Sequence, residues 1–119
     1  MISSDILRIS GGAPGRSRAV AYGPFVWAVA VSPGKEPDMA AQTRATLAVI
    51  EKALNDAGSG KDRILTATVY ITDMNFKAAM DSAWNEWVPA DAGPQRACIE
   101  TGLSPGSLVE IAVVAARKG

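Results

Sequence analysis

The stretch Pro94-Gln95-Arg96-Ala97-Cys98-Ile99-Glu100-Thr101, then Gly102-Leu103-Ser104-Pro105-Gly106-Ser107, then Leu108-Val109-Glu110-Ile111-Ala112-Val113-Val114-Ala115-Ala116, reads as strand, turn-rich loop and strand. In the first strand Ala97, Ile99 and Thr101 alternate with Arg96, Cys98 and Glu100, so one face carries a guanidinium, a thiol and a carboxylate. In the second, Val109, Ile111, Val113 and Ala115 share one face and Glu110, Ala112, Val114 and Ala116 the other. If these strands pair, their apolar sets cover a helix layer and Arg96 and Glu110 face each other across a common surface. Isolated charges in apolar strands need a reason, because unpaired charges are rarely buried.

Upstream, Ile6 to Ser10 is a short apolar-rich run before the loop Gly11-Gly12-Ala13-Pro14-Gly15. Arg18 to Tyr22 and Phe25 to Val31 flank Gly23-Pro24 and predict two strands joined by a tight turn. Phe25, Trp27, Val29 and Val31 share one face of the second, with Val26, Ala28 and Ala30 on the other, so both faces are expected to be covered. Asp38 is a natural N-cap for a helix running to about Ala57, with Ala40, Thr43, Leu47, Ile50, Leu54 and Ala57 as its buried stripe. Gly58 supplies a left-handed stop. Ile64 to Ile71 is a β-branched strand. A second helix spans about Phe76 to Val88, with Phe76, Met80, Ala83, Trp84 and Trp87 as its stripe, and Pro89 closes it. Lys61-Asp62-Arg63 reads as a solvated turn. The order is β-β-β-α-β-α-β-β: an α+β protein with a single mixed sheet and two helices on one face, in one domain over residues 1–119.

Composition narrows the chemistry. Twelve basic and twelve acidic side chains cancel, which argues against nucleic acid and anionic membrane as partners. The N-terminus shows no secretory leader pattern and no apolar run is long enough to span a bilayer, so a soluble, cytoplasmic protein is expected. The single Cys excludes an internal disulfide, and the absence of His removes Ser-His-Asp, Cys-His and His-ligated metal chemistry. No metal or organic cofactor is expected. The glycine-rich loop at 11–15 lacks the lysine ending and spacing of a phosphate loop.

Proline, one residue, Arg96, a small residue, Cys98, and some ten residues later Val109-Glu110-Ile111 followed by small apolar residues resemble the signature of the RidA/YjgF family of reactive-intermediate deaminases. The resemblance extends over nearly the whole chain in element order and length. It implies a chorismate-mutase-like fold, a homotrimer, and a ligand cleft between neighbouring subunits. The implied activity is hydrolysis of small 2-imino or enamine acids to keto acids and ammonia.

On that resemblance Arg96 holds the substrate carboxylate and Glu110 handles the attacking water, while Cys98, Glu100 and Asp81 line the cleft. Read from the residues alone, Arg96 is equally an ion-pair partner of Glu110 or Glu100. Its alternation with Ala97 and Ile99 directs it away from the helices, toward the cleft. Cys98 has no neighbouring His or Lys in sequence to activate it and reads as a polarizable wall. Trp84 and Trp87 read as core. The chain departs from the better-studied deaminases at Ala28-Val29-Ala30-Val31, where they carry a Ser-Gly-Gln-like segment, and at Arg16 or Ser17, where they carry a tyrosine. Asp81 stands where many members have Asn. Two rivals follow: a trimer that binds small carboxylates without turnover, and an endoribonuclease or translation inhibitor. The open sheet face, for which Val26, Ala28, Ala30, Ala112 and Val114 supply apolar residues, is expected to be covered by like subunits.

Overall fold

The computed structural model describes residues 5–11 and 13–119. Met1 to Ser4 and Gly12, on which the leader and glycine-loop readings partly fall, lie outside the described residues. The elements are β1 (Leu7–Ser10), β2 (Ser17–Tyr22), β3 (Phe25–Val31), α1 (Met39–Asp56), β4 (Ile64–Ile71), α2 (Lys77–Trp87), β5 (Gln95–Glu100) and β6 (Val109–Ala116). Their sequence is the expected β-β-β-α-β-α-β-β. They form one 6-stranded sheet in the order β1-β2-β3-β6-β4-β5. Only β4 and β5 run parallel; the other neighbours are antiparallel.

Helix α1 begins where Asp38 accepts a hydrogen bond from the Ala41 N–H at 2.8 Å. It ends at Gly58, whose φ of 85° a side chain would disfavour. Thr43, Leu47, Ile50, Leu54 and Ala57 are buried as the spacing predicts. Full burial of each large aliphatic contributes about 1.5–3 kcal/mol. Gln42 and Thr46 are buried as well, although neither stands on the expected stripe. In α2 the residues Met80, Ala83 and Trp84 turn into the same core. Phe76 does not: it lies in a 3₁₀ turn over Met74–Phe76, ahead of the helix, so the helical period does not carry it inward. The Lys61–Arg63 segment is also a 3₁₀ turn; Asp62 is exposed as expected of a solvated turn, but Arg63 folds back to donate to the carbonyls of Ala116 at 3.1 Å and Arg117 at 3.2 Å.

The expected pairing of the last two strands does not occur, because β4 lies between β5 and β6. Two features explain the placement. β6 is apolar on both faces but for Glu110, which suits a central strand, whereas β5 carries both Arg96 and Glu100, which suit an edge. The chain passes over the end of β4 to make the move, with Thr101 N donating to Ile71 O at 2.9 Å and Thr72 N to Leu108 O at 3.1 Å.

On the helix side the sheet presents Ala19, Ala21, Val26, Ala28, Val69 and Ile111, all buried in one cluster with both helices. Val26, Ala28 and Ala30 therefore belong to the covered face, not the open one. The open face carries Phe25, Trp27 and Val29 instead, alongside Ala112 and Val114. Trp27 and Val29 are each 43% exposed, an apolar surface with no element of the described residues over it.

Candidate active site

Arg96 is set by its register. It pairs with Ala67 of β4, whose side chain is in the helix-side core, so Arg96 also points toward the helices. This corrects the expectation from alternation, which had it facing away from them. The alternation holds with its faces exchanged: Ala97 and Ile99 are the exposed set, and Arg96 and Cys98 lie at the helix side, which α2 roofs only in part at this edge strand. Arg96 Nη2 donates to Asp81 Oδ1 at 2.6 Å, and Nη1 approaches Met80 Sδ at 3.7 Å. The guanidinium carbon lies 5.4 Å from the centroid of the Trp84 ring, within cation–π range. The side chain remains 19% exposed. Its ion-pair partner is thus neither Glu110 nor Glu100 but Asp81.

Asp81 has a second cation. Lys77 Nζ, one helical turn before it, donates to Oδ2 at 2.7 Å, so each carboxylate oxygen takes one charge-assisted hydrogen bond. Burial pushes the Asp81 carboxyl up, but the hydrogen bonds from Lys77 and Arg96 and their charges outweigh it and hold the group below the usual aspartate range. Cys98 pairs with Val69 on the same side and is half-buried. Burial raises its thiol pKa; Lys77 and Arg96 pull it down and Asp81 pushes it up, with a net rise. A raised pKa favours the thiol over the thiolate, the form that acts as a nucleophile. Glu100 accepts from the Met74 N–H at 2.7 Å and so closes the turn that leads to α2.

Glu110 sits elsewhere. It is flanked in register by Val31 and Tyr70, between the core residues Val109 and Ile111, and so projects from the open face. Within one chain, Arg96 and Glu110 are on opposite faces of the sheet with β4 between their strands. Glu110 lines a cavity of about 650 Å³ together with Arg16, Arg18, Lys35 and Ser104.

The loop between β5 and β6 is fixed to this cavity's wall by a residue the sequence reading passed over. Gln42 donates to the carbonyls of Glu36 at 2.7 Å and Gly106 at 2.8 Å, and accepts from the Leu108 N–H at 2.8 Å. Its burial was signalled by Gln42, Thr46, Ile50 and Leu54 recurring every four residues, but its polarity disguised it. Lys35 Nζ donates to Ser107 Oγ at 2.7 Å, and the Ser32 hydroxyl donates to the Glu36 carboxylate, whose pKa is lowered chiefly by that bond. Gly106, at φ 85°, has no room for a side chain: a Cβ would stand 2.9 Å from Lys35 Cδ. Among the described residues no group of three or more His, Cys, Asp or Glu is placed to hold a metal ion. Among the described residues no helix is long and apolar enough to cross a membrane.

A mixed six-stranded sheet with two helices on one face, carrying a charged and half-buried arginine cluster at its edge strand, defines the class. Residues 17–117 match the family model described as Endoribonuclease L-PSP, and the chain belongs to that family, the YjgF/RidA family. It is 44% identical over 82 residues to the RutC family protein YoaB of Escherichia coli K12, covering 68% of this chain and 72% of that one. A YjgF-family crystal structure from Neisseria meningitidis superposes with a TM-score of 0.89 at 34% identity, covering 98% of each chain. A related family member from Mycobacterium tuberculosis gives 0.85 at 30% identity over 94% of this chain and 99% of its own.

Proposed function

We propose that the protein is a cofactor-independent deaminase that hydrolyses small 2-imino or enamine acids to 2-keto acids and ammonia, in clefts between the subunits of a homotrimer. The observation that carries this reading is the Arg96 cluster. A guanidinium held in place by Asp81 and Trp84, with its Nε–H uncommitted, is prepared to meet a carboxylate at the sheet edge. The opposite-face placement of Arg96 and Glu110 supports a cleft built from two chains, since within one chain the sheet stands between them. The exposed Phe25, Trp27 and Val29 supply the apolar surface that like subunits would bury. The free thiol of Cys98 suits a reducing compartment such as the cytoplasm.

The chemistry asks little of the protein beyond orientation. A protonated imine carbon is already electrophilic. Arg96 of one subunit fixes the carboxylate, and Glu110 of its neighbour accepts a hydrogen bond from the attacking water. The water oxygen adds to C2, the C–N bond breaks, and nitrogen departs as ammonium carrying both of the water's protons. Imines generated in situ from amino acids by an oxidase test the reading: accelerated ammonia release is expected, and an intact trimer that accelerates none of them overturns it.

The occupancy of Arg96 by Asp81 favours one rival, a trimer that binds carboxylates without turnover. Calorimetric binding with no ammonia release would select it. The family description favours RNA cleavage, against which stand zero net charge and the absence of His.

A further inference from the structure

The cavity beside Glu110 holds more positive charge than its own carboxylate can answer. Three cations, Arg16, Arg18 and Lys35, line it against the single Glu110. Arg18 is already engaged: its Nε donates to Ser10 O at 2.7 Å and its Nη2 lies 3.4 Å from Asp56 Oδ2. Among the described residues the Lys35 ammonium bonds only to a neutral hydroxyl, that of Ser107. Among the described residues the side chains of Arg16 and Glu110 form no ion pair or hydrogen bond. Two unanswered cations against one unanswered carboxylate leave a surplus of one positive charge.

Lys35 is also held in an uncommon backbone state. Among the described residues it is the one non-glycine with positive φ, 53°, and Ser32 fixes the turn by accepting from its N–H at 3.2 Å. A left-handed lysine costs free energy that a merely solvated lysine would have no need of. The strained turn directs its chain past Gly106, whose missing Cβ leaves the room, to the cavity wall.

From this we infer that the Glu110 cavity is a subsite for a second acidic group, so that the substrate class is the imines of dicarboxylic amino acids. The inference rests on the deaminase reading for the reaction, and on the cavity alone for the ligand. With C1 carboxylate on Arg96 of one subunit and the imine carbon at Glu110 of the next, the far end of the ligand extends toward Arg16 and Lys35. A carboxylate matches a surplus of one charge. A phosphate dianion would exceed it by one charge.

Calorimetry on the wild-type protein with succinate, propionate and inorganic phosphate reads the subsite without any turnover. Succinate is expected to bind at least about tenfold tighter than propionate, with the advantage shrinking as salt is raised. Arg16→Gln and Lys35→Met, both at exposed positions, are expected to remove that advantage. Equal affinities for succinate and propionate, or an advantage that survives both substitutions, would overturn the subsite. Phosphate outcompeting succinate would overturn its assignment to a carboxylate. Turnover separates the two readings. Hydrolysis of the alanine imine as efficient as that of the aspartate and glutamate imines would sink the substrate class and leave the deaminase standing. Tight succinate binding with no imine hydrolysed would sink the deaminase and leave the dicarboxylate subsite standing.

Discussion

Arg96 Nη2 stands 2.6 Å from Asp81 Oδ1, while Lys77 Nζ stands 2.7 Å from the other oxygen of the same carboxylate. Asp81 is therefore the hinge of the candidate site: it neutralises one cation and shares itself with a second. Arg96→Ala and Arg96→Lys are expected to fold and assemble yet lose about a hundredfold or more in kcat/KM, since each charge-assisted hydrogen bond is worth about 1.5–3 kcal/mol and a lysine cannot reproduce the planar fork. Asp81→Asn should raise KM more than it lowers kcat, because it loosens the guanidinium without touching the reacting atoms. Near-normal kinetics in Arg96→Ala would remove the anchor.

The depressed pKa of Asp81 sets a pH window for stability. Its ion pairs contribute fully above the unfolded-state value of about 3.9 and are lost as pH falls through the lower folded value. Side-chain exposure of 29% screens the pair, so its worth is at most about 1 kcal/mol. Urea unfolding of wild type and Asp81→Asn should differ at pH 6 and converge toward pH 3. A gap that widens on acidification would contradict the assignment.

Cys98 is expected to behave as a wall. Its thiol pKa is raised first by burial, so alkylation by iodoacetamide should have its pH midpoint above that of a free cysteine, near 8.5. Cys98→Ser and Cys98→Ala should keep most of the turnover. A fall of several orders of magnitude with the assembly intact would mean that the sulfur takes part in the chemistry.

Gln42 carries the loop that frames the cavity. Gln42→Leu leaves the Leu108 N–H and the carbonyls of Glu36 and Gly106 without their partner. Each buried polar group left unsatisfied costs about 1–3 kcal/mol. The expected loss is about 3 kcal/mol, or roughly 10 °C in Tm, measurable by calorimetry. A change within about 0.5 kcal/mol would mean that water replaces the amide.

Element types and their order were legible because each rests on local chemistry: Asp38 and Gly58 bracket α1, and the β-branched run marks β4. Strand order was not: the charges of β5 suit an edge, but nothing local says whether that edge lies beside β6 or beyond β4. The assumption that consecutive strands pair, usually sound, placed Arg96 opposite Glu110 and turned it away from α2. Asp81 was found as a candidate residue, but its bond to Arg96 depends on that same tertiary register. Gln42 and Lys35 stayed hidden because a buried glutamine and a left-handed lysine are exceptions that only the assembled loops explain.

The separation of Arg96 and Glu110 gives the sharpest test of a shared site. If each cleft takes Arg96 from one chain and Glu110 from its neighbour, two inactive variants should restore each other. Mixing Arg96→Ala with Glu110→Ala in equal amounts, by unfolding and refolding together, produces trimers of every composition. A cleft is intact when the chain supplying Arg96 is the Glu110 variant and the chain supplying Glu110 is the Arg96 variant. Random assembly makes that combination in roughly a quarter of clefts. Ammonia release should therefore recover to roughly a quarter of wild type in the mixture, while either variant refolded alone stays inactive. The open face makes the assembly itself testable: Val29→Lys, which sets a charge on the apolar surface beside Trp27, should shift sedimentation toward monomer and abolish the recovery. If the mixture stays as inactive as its parents although mixed trimers form, Arg96 and Glu110 do not act on one ligand, and the inter-subunit cleft is wrong.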